Sequence, residues 1–196
     1  VTTKKIAGRG RPRGFDIDEA LAIAKNLFHQ RGFDGVGVAE LSQAIGITAP
    51  SLYSAFGSKR QLFERVLQKY VQEEGGWLAA ALTAGDSVEN SIAQLFDRAA
   101  KIYTATDSQR GCLILDGTRN CMDAEACALS AEFRQKTWQM ICDRIAQEWP
   151  LQAPALANYV FTILLGLSAA ARDGLSQAEL QAIGQAAAAG FSASLC

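Results

Sequence analysis

The chain has 196 residues, 49% of them apolar and 20% charged, which is enough for a sizeable buried core and excludes disorder over most of its length. A formal net charge of −1 would by itself argue against a nucleic-acid binder, but the charge is unevenly placed. Residues 1–70 hold 11 Lys+Arg against 6 Asp+Glu, and residues 71–196 hold 8 against 14, so a phosphate-binding part is expected to be joined to one that does not bind phosphate.

No charged-then-apolar leader opens the sequence, so a cytoplasmic protein is expected. Residues 1–13 form a basic arm with Arg9, Arg11 and Arg13 and no acid, where Gly8, Gly10 and Pro12 oppose a helix. Such an arm either lies along phosphates or enters a minor groove, or it is a solvated tail; the elements that follow favour DNA. Asp16-Ile-Asp-Glu19 predicts a capping box, and Ile17, Ala20, Leu21, Ala24, Leu27 and Phe28 recur at helical spacing until Gly32. His29, the single histidine, reads as a surface or half-buried helix residue rather than a metal ligand.

Val38, Leu41 and Ile45 give a second, short helix its apolar stripe. Gly46 can turn the chain through the left-handed region, and Thr48 caps a third helix that tolerates Pro50 in its first turn. Leu52 and Phe56 face inward at i, i+4, leaving Ala49, Ser51, Tyr53, Ser54 and Ala55 outside. Ser58-Lys-Arg-Gln61 predicts a further capping box, whose basic helix start suits a phosphate. Turn, cap and basic end together predict a helix-turn-helix that sets Thr48–Ala55 in a DNA major groove.

These residues resemble the DNA-binding domain of TetR/AcrR-type transcriptional regulators. The resemblance covers residues 14–70 and is carried by LFHQRGFDG, AELSQAIGI and SLYSAFGSKRQLF. It implies an all-α chain: an arm at 1–13, a three-helix helix-turn-helix domain at 14–60, and a helical ligand-sensing and dimerisation domain at 61–196. It implies DNA contacts from Thr48, Ala49, Pro50, Ser51, Tyr53 and Ser54, with Tyr53 and Lys59 mainly on phosphates. One departure is visible: Val36 and Gly37 stand where the family commonly has a hydroxyl residue to cap the second helix, so that contact is expected to be missing.

Beyond residue 70 the sequence is read on its own. Gly75-Gly76 predicts a break near the end of a fourth helix. Asp86-Ser-Val-Glu89 predicts the cap of another, Ala124–Glu148 a long helix, and Pro150 and Pro154 a turn. The longest apolar run, Tyr159–Ala171, is shorter than a bilayer span, so no membrane partner is expected. Two helices meeting at Asp173-Gly174-Leu175, the second capped by Ser176 and Glu179, are rich in small residues. The resemblance implies that residues 153–193 pair with a second copy, which suits a two-fold reader of a palindromic double-stranded operator.

The resemblance also implies a small-molecule pocket within residues 86–165, for which Phe96, Tyr103, Cys112, Asp116, Trp138 and Phe161 are the expected lining. The five cysteines are odd in number and lack a C-x-x-C, so free thiols are expected, with neither metal nor cofactor. Cys112 follows Arg110 and Cys121 follows Arg119; nearby cations favour thiolates, so both are candidates for a redox or electrophile sensor. An enzyme finds little support: there is no glycine-rich phosphate loop and no G-x-S-x-G, and His29 belongs to the reading domain.

Overall fold

A computed structural model describes residues 15–195; the arm with Arg9, Arg11 and Arg13, and Cys196, lie outside the described residues. Within them the chain is all helical. Helix α1 (Ile17–Arg31) starts where the Asp16 carboxylate accepts the amides of Asp18 at 2.7 Å and Glu19 at 3.1 Å. Glu19 does not reach back, so the predicted box is half formed. Phe28 on α1 is fully buried against Phe63, ring centroids 5.0 Å apart, and Phe33 lies 5.1 Å from the same ring. That aromatic cluster is the floor on which α2 (Val38–Ile45), α3 (Ala49–Phe56) and the start of α4 (Lys59–Glu74) are built.

Helix α4 leaves this head and continues into the rest of the chain, so the sequence boundary at 60 falls in its first turn. It ends at Glu74 as the glycine pair predicts, and after Gly75 the chain resumes as α5 (Gly76–Thr83). Helix α6 (Val88–Tyr103) is capped one residue later than expected. Ser87, not Asp86, accepts the Asn90 amide at 3.3 Å, because this register puts Val88 inside the core from the first turn. A short α7 (Leu113–Asp116) follows, then α8 (Ala124–Ala146), α9 (Ala153–Arg172) and α10 (Gln177–Ala193). Ser176 and Glu179 form the full reciprocal box at α10. Helix α10 lies so close to α6 that a Cβ at Gly184 would stand 3.1 Å from Cβ of Phe96.

Helix α9 corrects the expectation drawn from run length. At 20 residues it is, among the described residues, the one helix long and apolar enough to cross a bilayer. Instead it packs on α6, α7, α8 and α10, while only 39% of its most apolar stretch is buried.

His29 also departs from expectation. It is 3% exposed, and neither ring nitrogen has a hydrogen-bond partner among the described residues. Burial, then the Arg172 guanidinium, lowers its pKa from 6.5 to about 4. Below pH 6.5 the unfolded chain takes up a proton that the fold refuses until pH falls to about 4. Stability is therefore unaffected above pH 6.5 and falls by up to about 1.4 kcal/mol per unit across that window. The single imidazole resonance is expected to titrate near pH 4 in the native protein; a midpoint near 6.5 would mean that the ring is open to solvent.

Candidate nucleic-acid interface

The turn between α2 and α3 is set by Gly46, whose φ of 78° and ψ of 29° lie in the left-handed region. The amide of Ile47 donates back to the Ser42 carbonyl at 2.9 Å, which satisfies the end of α2. Thr48 then caps α3 by accepting the Ser51 amide at 3.3 Å. Leu52 and Phe56 are buried, and Pro50, Ser51, Tyr53 and Ser54 are exposed; Tyr53 is 49% exposed. An open hollow of about 570 Å³ runs along this face, floored by Ile47, Pro50, Ser54 and Ala55. Phe15 forms one wall. Phe15 was not singled out in the sequence, because one aromatic before a cap carries no signal of its own.

Gly37 begins α2 with no side-chain cap, as its missing hydroxyl implies. Lys59 is placed differently from the expectation. Its ammonium donates to the carbonyls of Phe33 at 2.9 Å and Val36 at 3.0 Å, and sits 4.0 Å from the Phe33 ring centroid. It stitches the α1–α2 turn to the start of α4 instead of standing free for a phosphate. Arg60, next to it, pairs with Glu125.

The same turn is docked on the rest of the molecule. The Phe33 amide donates to the Gly117 carbonyl at 2.7 Å, and Asp34 accepts the Met122 amide at 2.6 Å. Arg172 on α9 donates to the His29 carbonyl at the end of α1. The reading head is thus tied to α7, α8 and α9 as well as through α4.

A second hollow, a cavity of about 200 Å³, lies where α4 breaks into α5. Tyr70, Trp77, Tyr103, Cys112, Phe133 and Lys136 are among the residues that line it. Of the expected lining, Tyr103 and Cys112 are there and four residues are not. Phe96 is fully buried where α6 meets α10. Asp116 is a buried acceptor for Ser168 at 2.5 Å, Arg119 at 2.7 Å and Arg172 at 3.2 Å. Trp138, whose ring N–H donates to Asn158 at 2.8 Å, and Phe161 flank a separate open groove between α8 and α9. Tyr70 and Trp77 were missed; the Gly75-Gly76 break beside them was the one local signal of their place.

Neither candidate thiol has its sequence-adjacent cation as a neighbour. Burial pushes the Cys112 pKa up, and its sulfur accepts from the Tyr70 hydroxyl at 3.7 Å. Arg110 points elsewhere, donating to the carbonyls of Ala171 at 2.7 Å and Leu175 at 2.5 Å. Burial and the Asp34 carboxylate, to which it donates at 3.4 Å, push Cys121 up to about 12. Arg119 is turned to Asp116. The cations adjacent in sequence are therefore not the thiols' neighbours in space.

The sequence profile of the bacterial regulatory proteins of the tetR family matches residues 20–66. The chain is 40% identical over 180 residues to the HTH-type transcriptional repressor BdcR of Escherichia coli (strain K12), covering 92% of this chain and 91% of BdcR. It is 34% identical over 185 residues to the HTH-type transcriptional repressor ComR of the same strain, covering 89% and 88%. The fold matches a cysteine mutant of the TetR family transcriptional regulator CifR complexed with 26bp double-strand operator DNA. That match has a TM-score of 0.82 and 33% identity, and covers 91% of this chain and 98% of that one.

Proposed function

Given that the chain belongs to the tetR family of bacterial regulatory proteins, and so is a DNA-binding transcriptional regulator and not an enzyme, we propose that it is a homodimeric repressor released from a palindromic operator by a small molecule. The observation that carries this reading is the head: a left-handed Gly46, a Thr48-capped α3, and an outer face free of buried partners. Thr48, Ala49, Pro50, Ser51, Tyr53 and Ser54 are its DNA contacts, and Arg9, Arg11 and Arg13 extend it along the backbone. Lys59 supports the head from inside. BdcR and ComR are named repressors, and the CifR mutant holds operator DNA, which supports repression and operator binding.

One short α3 offers few contacts, and two heads at fixed spacing are the usual remedy. The uncovered apolar side of α9, with α10, is the surface for a second copy, within residues 153–193. The effector site is the cavity at Gly75. Tyr70 of α4 forms part of its wall, and α4 carries the head at its other end. A ligand that changes the direction of α4 changes the spacing of two heads, and DNA must then oppose the ligand reciprocally. Such a regulator works beside its operator in the cytoplasm. A thiol-based input is disfavoured, since Cys112 and Cys121 are both held protonated.

Helix α3, APSLYSAF, has no Arg, Lys, Asn, Gln, Asp or Glu. It cannot make the bidentate contacts that identify guanine or adenine, so its major-groove reading falls on hydroxyl bonds and thymine methyls. The test is fluorescence anisotropy on a palindromic fragment from beside the gene. Binding should weaken steeply with salt, and uracil for thymine in the half-sites should weaken it about fourfold per contacted methyl. Absence of salt-dependent binding would overturn the function; full tolerance of uracil would move base reading away from α3.

A further inference from the structure

The cavity beside Gly75 also constrains what it can hold. A cavity of about 150 Å³ takes one benzene ring, so about 200 Å³ suits a single substituted ring of roughly ten non-hydrogen atoms. Its walls are aromatic: Trp77 meets Tyr103 edge-on, ring centroids 6.1 Å apart at 87°, and Tyr70 and Phe133 face the same space. Such walls accept a flat ring through edge and offset contacts.

The polar groups of the lining are few. The Tyr70 hydroxyl is engaged with the Cys112 sulfur. Tyr103 is 2% exposed and lines the cavity, and its hydroxyl is not among the buried side-chain atoms left without a partner, so it has access to the open space. A phenol O–H on the wall of an otherwise apolar cavity is a donor that an oxygen acceptor on a ligand can meet. Among the described residues no carboxylate lines the cavity, and the one charged group is Lys136, exposed to solvent with its ammonium 5.2 Å from the Phe133 ring centroid. A cation would be buried without a partner, whereas an anionic substituent is matched only at the Lys136 edge.

Resting on the reading of this cavity as the effector site, we propose that its ligand is a compact single-ring aromatic compound with an uncharged oxygen acceptor, such as a carbonyl, directed at the Tyr103 hydroxyl. Any acidic substituent sits at the exposed edge, against Lys136.

The experiment is calorimetric titration of the full-length protein with four near-isosteric probes, alongside anisotropy of the operator complex. The probes are acetophenone, ethylbenzene, 1-phenylethylamine and 4-acetylbenzoate. Acetophenone should bind more tightly than ethylbenzene, and 1-phenylethylamine should bind at least tenfold more weakly than acetophenone. Tyr103→Phe should weaken acetophenone about fivefold and leave ethylbenzene unchanged, a split that general damage to the fold would not produce. Lys136→Met should weaken 4-acetylbenzoate alone. Equal binding of the amine, indifference of acetophenone to Tyr103→Phe, or no heat from any probe would each overturn the proposal. Tyr103-dependent binding that leaves the operator bound would instead sink the effector reading while the ligand class stands.

Discussion

Replacing Asp116 by alanine is expected to lower folding stability by about 3 kcal/mol and to loosen the reading head from the rest of the chain. The Asp116 side chain is 3% exposed and accepts from Ser168, Arg119 and Arg172. Ser168 in turn accepts the Cys112 amide at 2.8 Å, and Arg172 donates to the His29 carbonyl at the end of α1. One carboxylate thus joins α7, α9 and, through Arg172, α1. Removing one partner of a buried ion pair costs about 3–5 kcal/mol, because the partner left behind is uncompensated. Arg119 is 50% exposed and Arg172 26%, so both guanidiniums regain some water and the lower end of that range applies. Asp116→Asn keeps an acceptor for Ser168 but loses the charge, and should fall between the two. Urea unfolding measures both variants. A loss below about 1 kcal/mol for alanine would mean that the site behaves as a surface pair.

How far such features can be read from sequence depends on whether their causes are local. The head was legible because everything that builds it lies within a few residues: Gly46 at the turn, Thr48 and Ser51 at the cap, Leu52 and Phe56 one turn apart. The break at Gly75 and the box at Ser176 were legible for the same reason. The intramolecular place of Lys59 was not legible because its partners are carbonyls 26 and 23 residues upstream, and a sequence shows a charge without showing where it goes. The argument from Arg110 to Cys112 failed through the residue between them. Gly111 has a φ of 80°, which turns the chain so that the guanidinium caps the end of α9 while the thiol enters the interior. The cavity lining was mostly illegible, since aromatic residues fill cores and line cavities alike. Phe96 and Tyr103, seven residues apart on one buried face of α6, show this: one packs under Gly184 and the other meets open space.

Replacing Gly166 by arginine is expected to leave the fold intact, abolish the proposed dimer, and weaken operator binding by about 100-fold or more. A Cβ at Gly166 meets nothing within 4 Å in the single chain, so the side chain has room to leave the surface of α9. The helix cost of the glycine is even relieved, by up to about 1 kcal/mol. The proposed second copy would lie against that surface, where 39% burial leaves most of the apolar stretch uncovered and Ile183 of α10 is 42% exposed. An arginine there would be pressed between two apolar helices without a partner, which opposes association strongly. Once the heads separate, the second half-site is no longer reached at high effective concentration, and the loss is of the order of 100-fold or greater. Gly184 provides the contrast. There a Cβ would press on Phe96 of the same chain, so Gly184→Ala should lower the melting temperature without first changing the oligomeric state. Light scattering, thermal unfolding and anisotropy on the two variants separate interface from core. A Gly166→Arg protein that stays dimeric and binds normally would place the contact between copies on another face than α9.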